Sequence, residues 1–276
     1  MRGKVLPLVL VFAAAFVLAA GEEARKPPAF KPFKPVLNAG EVLDYNVYWK
    51  GLKVGYMKFV CGPKPKEGKP GTLTFISKSN RLGKWFFRFF YSRFTSKQDP
   101  DTGECLSFTR HIVREERFLE EEVSFDYERM TLREYIRRDR RGRKMRRDRL
   151  IETRMLDPLL MLYHLRAVAV ERTGEERRFH LFADGFWDAV MKVKGKGRRK
   201  FGKFGERDYW KIDLKVPRPW ICFQTGGYRL ETDRETGIIL EMRWDSGKGR
   251  CKAALVGTKN SPLVMEAAQG REPEGR

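Results

Sequence analysis

The sequence predicts a mainly β protein: one large antiparallel sheet, curled into a half-open or closed barrel, with one short helix. Three observations predict it. About a dozen short segments of strand character recur at a spacing of roughly 8–12 residues. Turn-forming clusters separate them, clearest at Asp99-Pro100-Asp101-Thr102-Gly103 and Asp233-Arg234-Glu235-Thr236-Gly237. One stretch stands out for apolar residues at helical spacing, the one beginning at Asp157. So many strands cannot form a flat sheet, because strand twist accumulates; the sheet curls. Its concave apolar face, partly covered by the helix, is then a core or a cavity.

The elements follow in chain order. Arg2 and Lys4 precede an apolar run from Val5 to Ala20, and Ala19, Ala20 and Gly21 are small. This is the pattern of a secretory signal peptide over residues 1–20, cleaved near 19–21. The run is short for a spanning helix, which needs about 20 residues. The expected location is therefore the periplasm. Residues 21–37 carry Pro27, Pro28, Pro32 and Pro35 and read as an extended linker. A single β-rich domain is expected over 38–257, and a disordered tail over 258–276.

Within the domain, Leu43, Tyr45, Val47 and Trp49 alternate along one face of a first strand over 41–49. Lys50-Gly51 turns the chain into a strand over 54–60. Further strands are expected over 73–79, 89–96, 105–114, 117–127, 130–137 and 143–151. Asp157 suits a helix cap and Pro158 its first position, with Leu159, Leu160, Tyr163 and Ala167 on one face. Strands resume over 178–183, 189–194, 209–216, 228–233, 237–245 and 251–256.

Composition limits the function. The chain has 276 residues, 41% hydrophobic, with 20 Phe, 9 Tyr and 6 Trp, enough to bury a core. A mean hydropathy of -0.55 with one long apolar run excludes a polytopic helical membrane protein. With 57 Lys+Arg against 36 Asp+Glu, the net charge is +21. Nucleic acid is the usual partner of such a chain, but an exported protein rarely meets it. Anionic headgroups, lipopolysaccharide or acidic wall polymers fit better, unless the charge is simply spread over a solvated surface.

Two basic runs concentrate this charge. Arg137 to Arg149 holds nine cations among thirteen residues, and Lys192 to Lys203 holds seven. Both read as hairpin tips, and Arg140, Arg141, Arg143 and Lys144 are the expected contacts to an anionic surface. Seven aromatics fall between Trp85 and Phe94. Read as a strand, they need a cover on each face. They form either sheet core or the greasy lining of a ligand site. About ten buried methylenes at ~0.8 kcal/mol each would contribute roughly 8 kcal/mol to holding an acyl chain.

Catalytic signals are weak. His111, His164 and His180 form no H-x-x-x-H or H-E-x-x-H pattern, and His164 is expected partly exposed. Glu120, Glu121 and Glu122 lie in a strand and alternate faces. A hydrolase would need Glu120 or Glu122 beside another acid or a His. There is no G-x-S-x-G elbow, P-loop or dinucleotide fingerprint. No enzyme activity, cofactor or metal is expected. Cys61, Cys105, Cys222 and Cys251 suit an oxidising compartment and allow three connectivities. Cys222–Cys251, flanking the last strand pair, and then Cys61–Cys105 are the expected disulfides; free buried thiols are the alternative.

Three stretches carry a family resemblance: 39–55, opening Ala39-Gly40-Glu41-Val42-Leu43-Asp44-Tyr45; 157–166, Asp157-Pro158-Leu159-Leu160-Met161-Leu162-Tyr163-His164-Leu165-Arg166; and 227–255, opening Gly227-Tyr228-Arg229-Leu230-Glu231-Thr232-Asp233. Together the chain resembles the domain-of-unknown-function 3108 family of exported bacterial proteins, over roughly 37–257. The resemblance implies a half-open barrel like that of lipoprotein carriers, with helix material in its mouth, and relatives that carry or sense acylated molecules. The expected function is a periplasmic, non-enzymatic binding protein for a hydrophobic or acylated ligand. Its expected lining is Trp49, Phe86, Phe90, Phe94, Leu159, Leu160 and Tyr163, with the helix as a plug. The alternative is an envelope scaffold whose basic hairpins bind anionic polymer or a partner protein.

Overall fold

The computed structural model describes residues 37–263, apart from 68, 116–117, 168–172, 183–184 and 217–225. The expected signal peptide, Cys222, nearly all of the linker and the last thirteen residues of the tail lie outside the described residues. Among the described residues, fourteen strands form one antiparallel sheet. An outgoing arm runs strand by strand from β1 (Val42–Trp49) through β2 (Leu52–Cys61), β3 (Gly71–Ser79), β4 (Phe89–Gln98), β5 (Cys105–Arg114), β6 (Phe118–Asp126) and β7 (Thr131–Arg137) to β8 (Met145–Leu150). A returning arm runs from β9 (Glu176–Phe182) through β10 (Phe186–Lys200), β11 (Glu206–Val216), β12 (Gly226–Asp233) and β13 (Ile239–Asp245) to β14 (Arg250–Lys259). The arms join where β14 pairs with β1, from Val42 opposite Lys259 to Trp49 opposite Cys251.

The sheet is not closed, since β8 and β9 are its two edges. The seam is spanned by other means. Leu156 makes a parallel bridge to β9, its N–H donating to the His180 carbonyl at 2.9 Å and its carbonyl accepting from the Phe182 N–H at 3.0 Å. The Arg149 guanidinium of β8 lies over the Phe182 and Phe186 rings at 6.0 and 5.9 Å.

Alternation builds the concave core. Phe59, Phe75 and Phe94 are cross-strand partners, with ring centroids 4.9 and 5.4 Å apart, and Phe108 adds a contact to Phe94 at 6.0 Å. The expected helix is present as α2 (Pro158–Ala167). Its cap Asp157 accepts the Leu159 and Leu160 N–H groups at 2.7 and 3.2 Å. Every residue from Leu159 to Leu165 is buried, so α2 fills the concavity rather than floating one face on it.

Four expectations need correction. First, a second helix, α1 (Arg81–Phe87), interrupts the aromatic run that was expected to be strand. Asn80 caps it by accepting the Gly83 N–H at 2.9 Å, and Arg88 ends it at φ 51. The helix removes the difficulty of a strand with two apolar faces. Phe86 and Phe87 turn onto Trp49, at ring centroids of 4.4 and 5.7 Å, instead of continuing along the sheet. Second, the basic run from Lys192 is mostly strand, because β10 extends to Lys200 and pairs with β11 to the end; only Gly202–Phe204 turns. Third, the body extends beyond 257, since β14 ends at Lys259 and Ser261 and Leu263 are buried. Fourth, Cys61, Cys105 and Cys251 are free buried thiols. Cys61 on β2 and Cys105 on β5 stand three strand spacings apart, about 14 Å, beyond the roughly 7 Å between Cα atoms that a disulfide tolerates.

Candidate functional site: a cationic groove on the outer face

The interior is anchored by polar contacts at both ends of α2. At its start, the Asp157 carboxylate accepts hydrogen bonds from the Ser96 hydroxyl at 2.5 Å and the Cys105 thiol at 3.1 Å. At its end, Arg166 grips Glu41 through two bonds of 2.5 and 3.0 Å, and the Tyr163 hydroxyl donates to the same carboxylate at 3.3 Å. The Cys61 thiol donates to Tyr163 at 3.4 Å. Burial pushes the Asp157 carboxyl up, the Cys61 thiol up to about 11 and the Cys105 thiol well above its ordinary value. Both thiols therefore stay protonated, which suits hydrogen-bonding anchors and not nucleophiles. His164, expected partly exposed, is fully buried, and burial holds its imidazole down to about 4. The surrounding sheet, rather than the helix's own pattern, buries it.

The expected ligand lining divides into two places. Phe94, Leu159, Leu160 and Tyr163 are packed in the filled core. Trp49 and Phe86 contact each other at the β1–β2 turn. Tyr163 instead reaches Glu41, at the opposite end of β1, and eight residues of strand span roughly 25 Å. Phe90 is half-buried with the Lys84 ammonium over its ring at 5.6 Å.

The acidic triplet also divides. Glu121 is buried against Arg110 at 2.7 Å, Glu120 bonds Arg137 at 2.9 Å, and Glu122 bonds Lys144 at 2.8 Å. Glu120 stands opposite His111 in register, but its carboxylate is engaged by Arg137, while the His111 ring packs edge-on to Phe118 at 5.3 Å. Of the expected surface contacts, Arg140, Arg141 and Arg143 are exposed at the β7–β8 turn and Lys144 is partly neutralised by Glu122. Among the described residues, no group of three or more His, Cys, Asp or Glu side chains could hold a metal, and no helix is long and apolar enough to cross a membrane.

A second group of cations lies elsewhere. On the outer face of β10–β13 a groove of about 570 Å³ is lined by Lys194, Arg199, Lys211, Arg229 and Arg243, with Asp213 and Glu231 as its acids. Register assembles it. Across β12–β14 Arg229 is directly opposite Arg243, and Arg243 directly opposite Lys252; across β11–β12 Arg229 faces Asp213 and Lys211 faces Glu231. The acids are already occupied. Asp213 pairs with Lys194 at 3.8 Å, and Glu231 bonds Arg199. Glu241, just beyond, takes Arg243 at 2.5 Å, Arg199 at 3.2 Å and Lys252 at 3.7 Å. Arg229 has no ion pair or hydrogen bond among the described residues, and Lys211 reaches only the Tyr209 ring, at 5.9 Å. Like charges directly opposite on a sheet repel, so this arrangement favours an added anion. Sequence reading singled out Lys194 and Arg199 within the run 192–203 but missed the groove, because its other cations lie on three further strands.

A family model described as "Protein of unknown function (DUF3108)" matches residues 44–234. Among solved structures, the chain is similar to a beta-barrel-like protein of domain of unknown function DUF1849 from Brucella abortus. The identity is 14% and the TM-score 0.54, over 81% of this chain and 98% of that one. At that identity the likeness establishes the fold alone. No curated protein matches the chain.

Proposed function

This chain belongs to the DUF3108 family of proteins of unknown function, and on that premise we propose that it is a non-enzymatic polyanion-binding protein of the cell envelope. The ligand lies in the outer groove of β10–β13. One observation carries the reading: Arg229 makes no ion pair among the described residues, with Arg243 opposite it on one side and, on the other, Asp213 paired with Lys194. The apolar run behind Arg2 and Lys4, with small residues at 19–21, supports export to the periplasm.

The acyl-ligand reading finds less support. A chain in the concave face would have to displace Leu159, Leu160 and Tyr163, which are all buried there. Displacing α2 would also break the Glu41–Arg166 pair and expose the Asp157 cap. The curled sheet with its apolar concave face, and the resemblance to lipoprotein-carrier-like proteins, speak in its favour.

Titration of the full chain with inorganic polyphosphate tests the proposal. Binding is expected to weaken steeply with added salt, and to fall about tenfold in the R229Q/K211Q variant, a loss set by two charge-assisted contacts. Unchanged binding in that variant, with loss in R140Q/R141Q/R143Q, would move the site to the β7–β8 turn. A stoichiometric lipid mass on the chain by native mass spectrometry would restore the acyl-ligand reading.

A further inference from the structure

A second surface, distant in sequence from the groove and of different chemistry, is the rim built by α1 and the β1–β2 turn. Trp85 is 75% exposed and Leu52 52% exposed. Neither is on a floppy tip. A Cβ on Gly83 would lie 2.1 Å from the Val54 carbonyl oxygen, so α1 sits hard against β2 and only glycine allows it. Asn80 ties the helix start to the Lys53 carbonyl at 2.7 Å. The Lys248 ammonium donates to the Phe86 carbonyl at 2.7 Å, fixing the helix end to the β13–β14 turn. Trp85 therefore projects from a rigid platform, with Phe86 beneath it at a ring distance of 4.6 Å.

The surroundings of these two apolar side chains are cationic. Lys50, Lys53, Arg81, Lys84 and Lys248 are all exposed around them. Of the nearby acids, Glu115 is paired with Arg88 at 3.2 Å and Asp245 accepts the Gly247 N–H at 2.9 Å, and α1 has no acid in its first turn. We propose that this rim docks the protein onto an anionic lipid bilayer, with Trp85 and Leu52 entering the headgroup layer and the lysines lying at its surface.

The chemistry favours a bilayer over a protein. Trp is at home at the membrane–water interface because its ring is apolar and its N–H polar. Lysines beside it extend their stems along the apolar layer and keep their ammonium groups at the phosphates. Protein interfaces deplete Lys and need roughly 800 Å² per partner, far more than two side chains present. Each cation near an anionic bilayer strengthens partitioning roughly fivefold, so a few suffice to hold so small an apolar anchor.

Co-sedimentation of the full chain with phosphatidylcholine vesicles containing roughly a third phosphatidylglycerol tests this proposal. The W85S variant is expected to partition about tenfold more weakly, and R81E/K84E likewise. W85S should keep its melting temperature, since the side chain is exposed. R229Q/K211Q should bind vesicles like the parent chain, so the rim and the groove are tested separately. Quenching of tryptophan fluorescence by brominated lipid should fall in W85F. Equal partitioning of W85S and the parent chain would overturn the proposal. So would loss of vesicle binding in R229Q/K211Q alone, or a parent dimer in sedimentation velocity that W85S converts to monomer, which would make a second copy the occupant.

Discussion

Arg229 on β12 stands in register between Arg243 on β13 and Asp213 on β11, and of the two arginines only Arg243 makes an ion pair among the described residues. Arg243 leans to Glu241 at 2.5 Å and Glu231 at 3.8 Å, which leaves the Arg229 charge to solvent. Cross-strand like charges cost roughly 0.2–1 kcal/mol. R229T removes that repulsion together with the cross-strand attraction to Asp213, so it should leave the stability of the unliganded protein within about 0.5 kcal/mol of the parent while weakening polyphosphate binding. Urea denaturation beside the titration checks both. Unchanged stability with lost binding is the signature of a residue kept for its ligand; a loss above about 1 kcal/mol would make Arg229 structural.

Glu41 and Arg166 form the opposite case, a charge pair answered completely. Their side chains are 0% and 5% exposed, and they tie the residue before β1 to the last turn of α2. The Asp233–Gly237 turn closes over the same helix end, where a Cβ on Gly237 would lie 2.4 Å from the Arg166 carbonyl oxygen. Removing one partner strands a buried charge, so R166M should cost about 3–5 kcal/mol. The E41Q/R166M double variant should cost less than the two single losses added. Urea midpoints for the three variants measure the coupling, and simple additivity would contradict it.

The fold was largely legible because most strands alternate apolar and polar residues between Asp-Gly-type turns, and because Asp157-Pro158 marks a helix start. The misses share a physical cause: burial there is set by neighbours in space. Seven aromatics within ten residues read as strand, and nothing local reveals that Gly83 lets α1 close on Val54. The end of β10 carries no apolar period, because one of its faces is exposed, the other half-exposed, and past Lys192 it pairs with β11 alone. Of the basic run 137–149, Arg140, Arg141 and Arg143 stay exposed at the turn, while the flanking strand residues are drawn into ion pairs. Arg149 points to the buried Glu134 at 3.4 Å, and Arg146 takes Asp148 at 2.6 Å. The groove shows the converse, as register gathers cations that are far apart in the chain.

Free thiols follow from the same geometry. Cys61 donates to Tyr163 and Cys105 to Asp157, with β3 and β4 between them. Because burial raises both thiols, Cys61 to about 11, neither forms appreciable thiolate at pH 8. Native protein treated with iodoacetamide should leave Cys61 and Cys105 unmodified, and urea should expose both. A non-reducing peptide map containing a linked Cys61–Cys105 pair would overturn this arrangement.

His164 makes stability fall in acid. It sits in the middle of α2, fully buried, with its imidazole held down to about 4 by desolvation. The unfolded chain takes up the proton near the ordinary value of about 6.5. Between those values the unfolded state binds more protons, so stability is lost as pH falls from about 6.5 toward about 4. From pH 7 to pH 5 the loss is on the order of 2 kcal/mol. Asp157 acts in the other direction. Its raised carboxyl favours the protonated folded state, a contribution lost as pH climbs through its raised value. H164L removes the first effect and leaves the second, so the variant should show a flatter or reversed slope over the same window. Unfolding free energies of the two proteins at pH 7 and pH 5 give that slope directly. Parallel slopes would mean that His164 is protonated inside the fold, with a counter-charge that holds it.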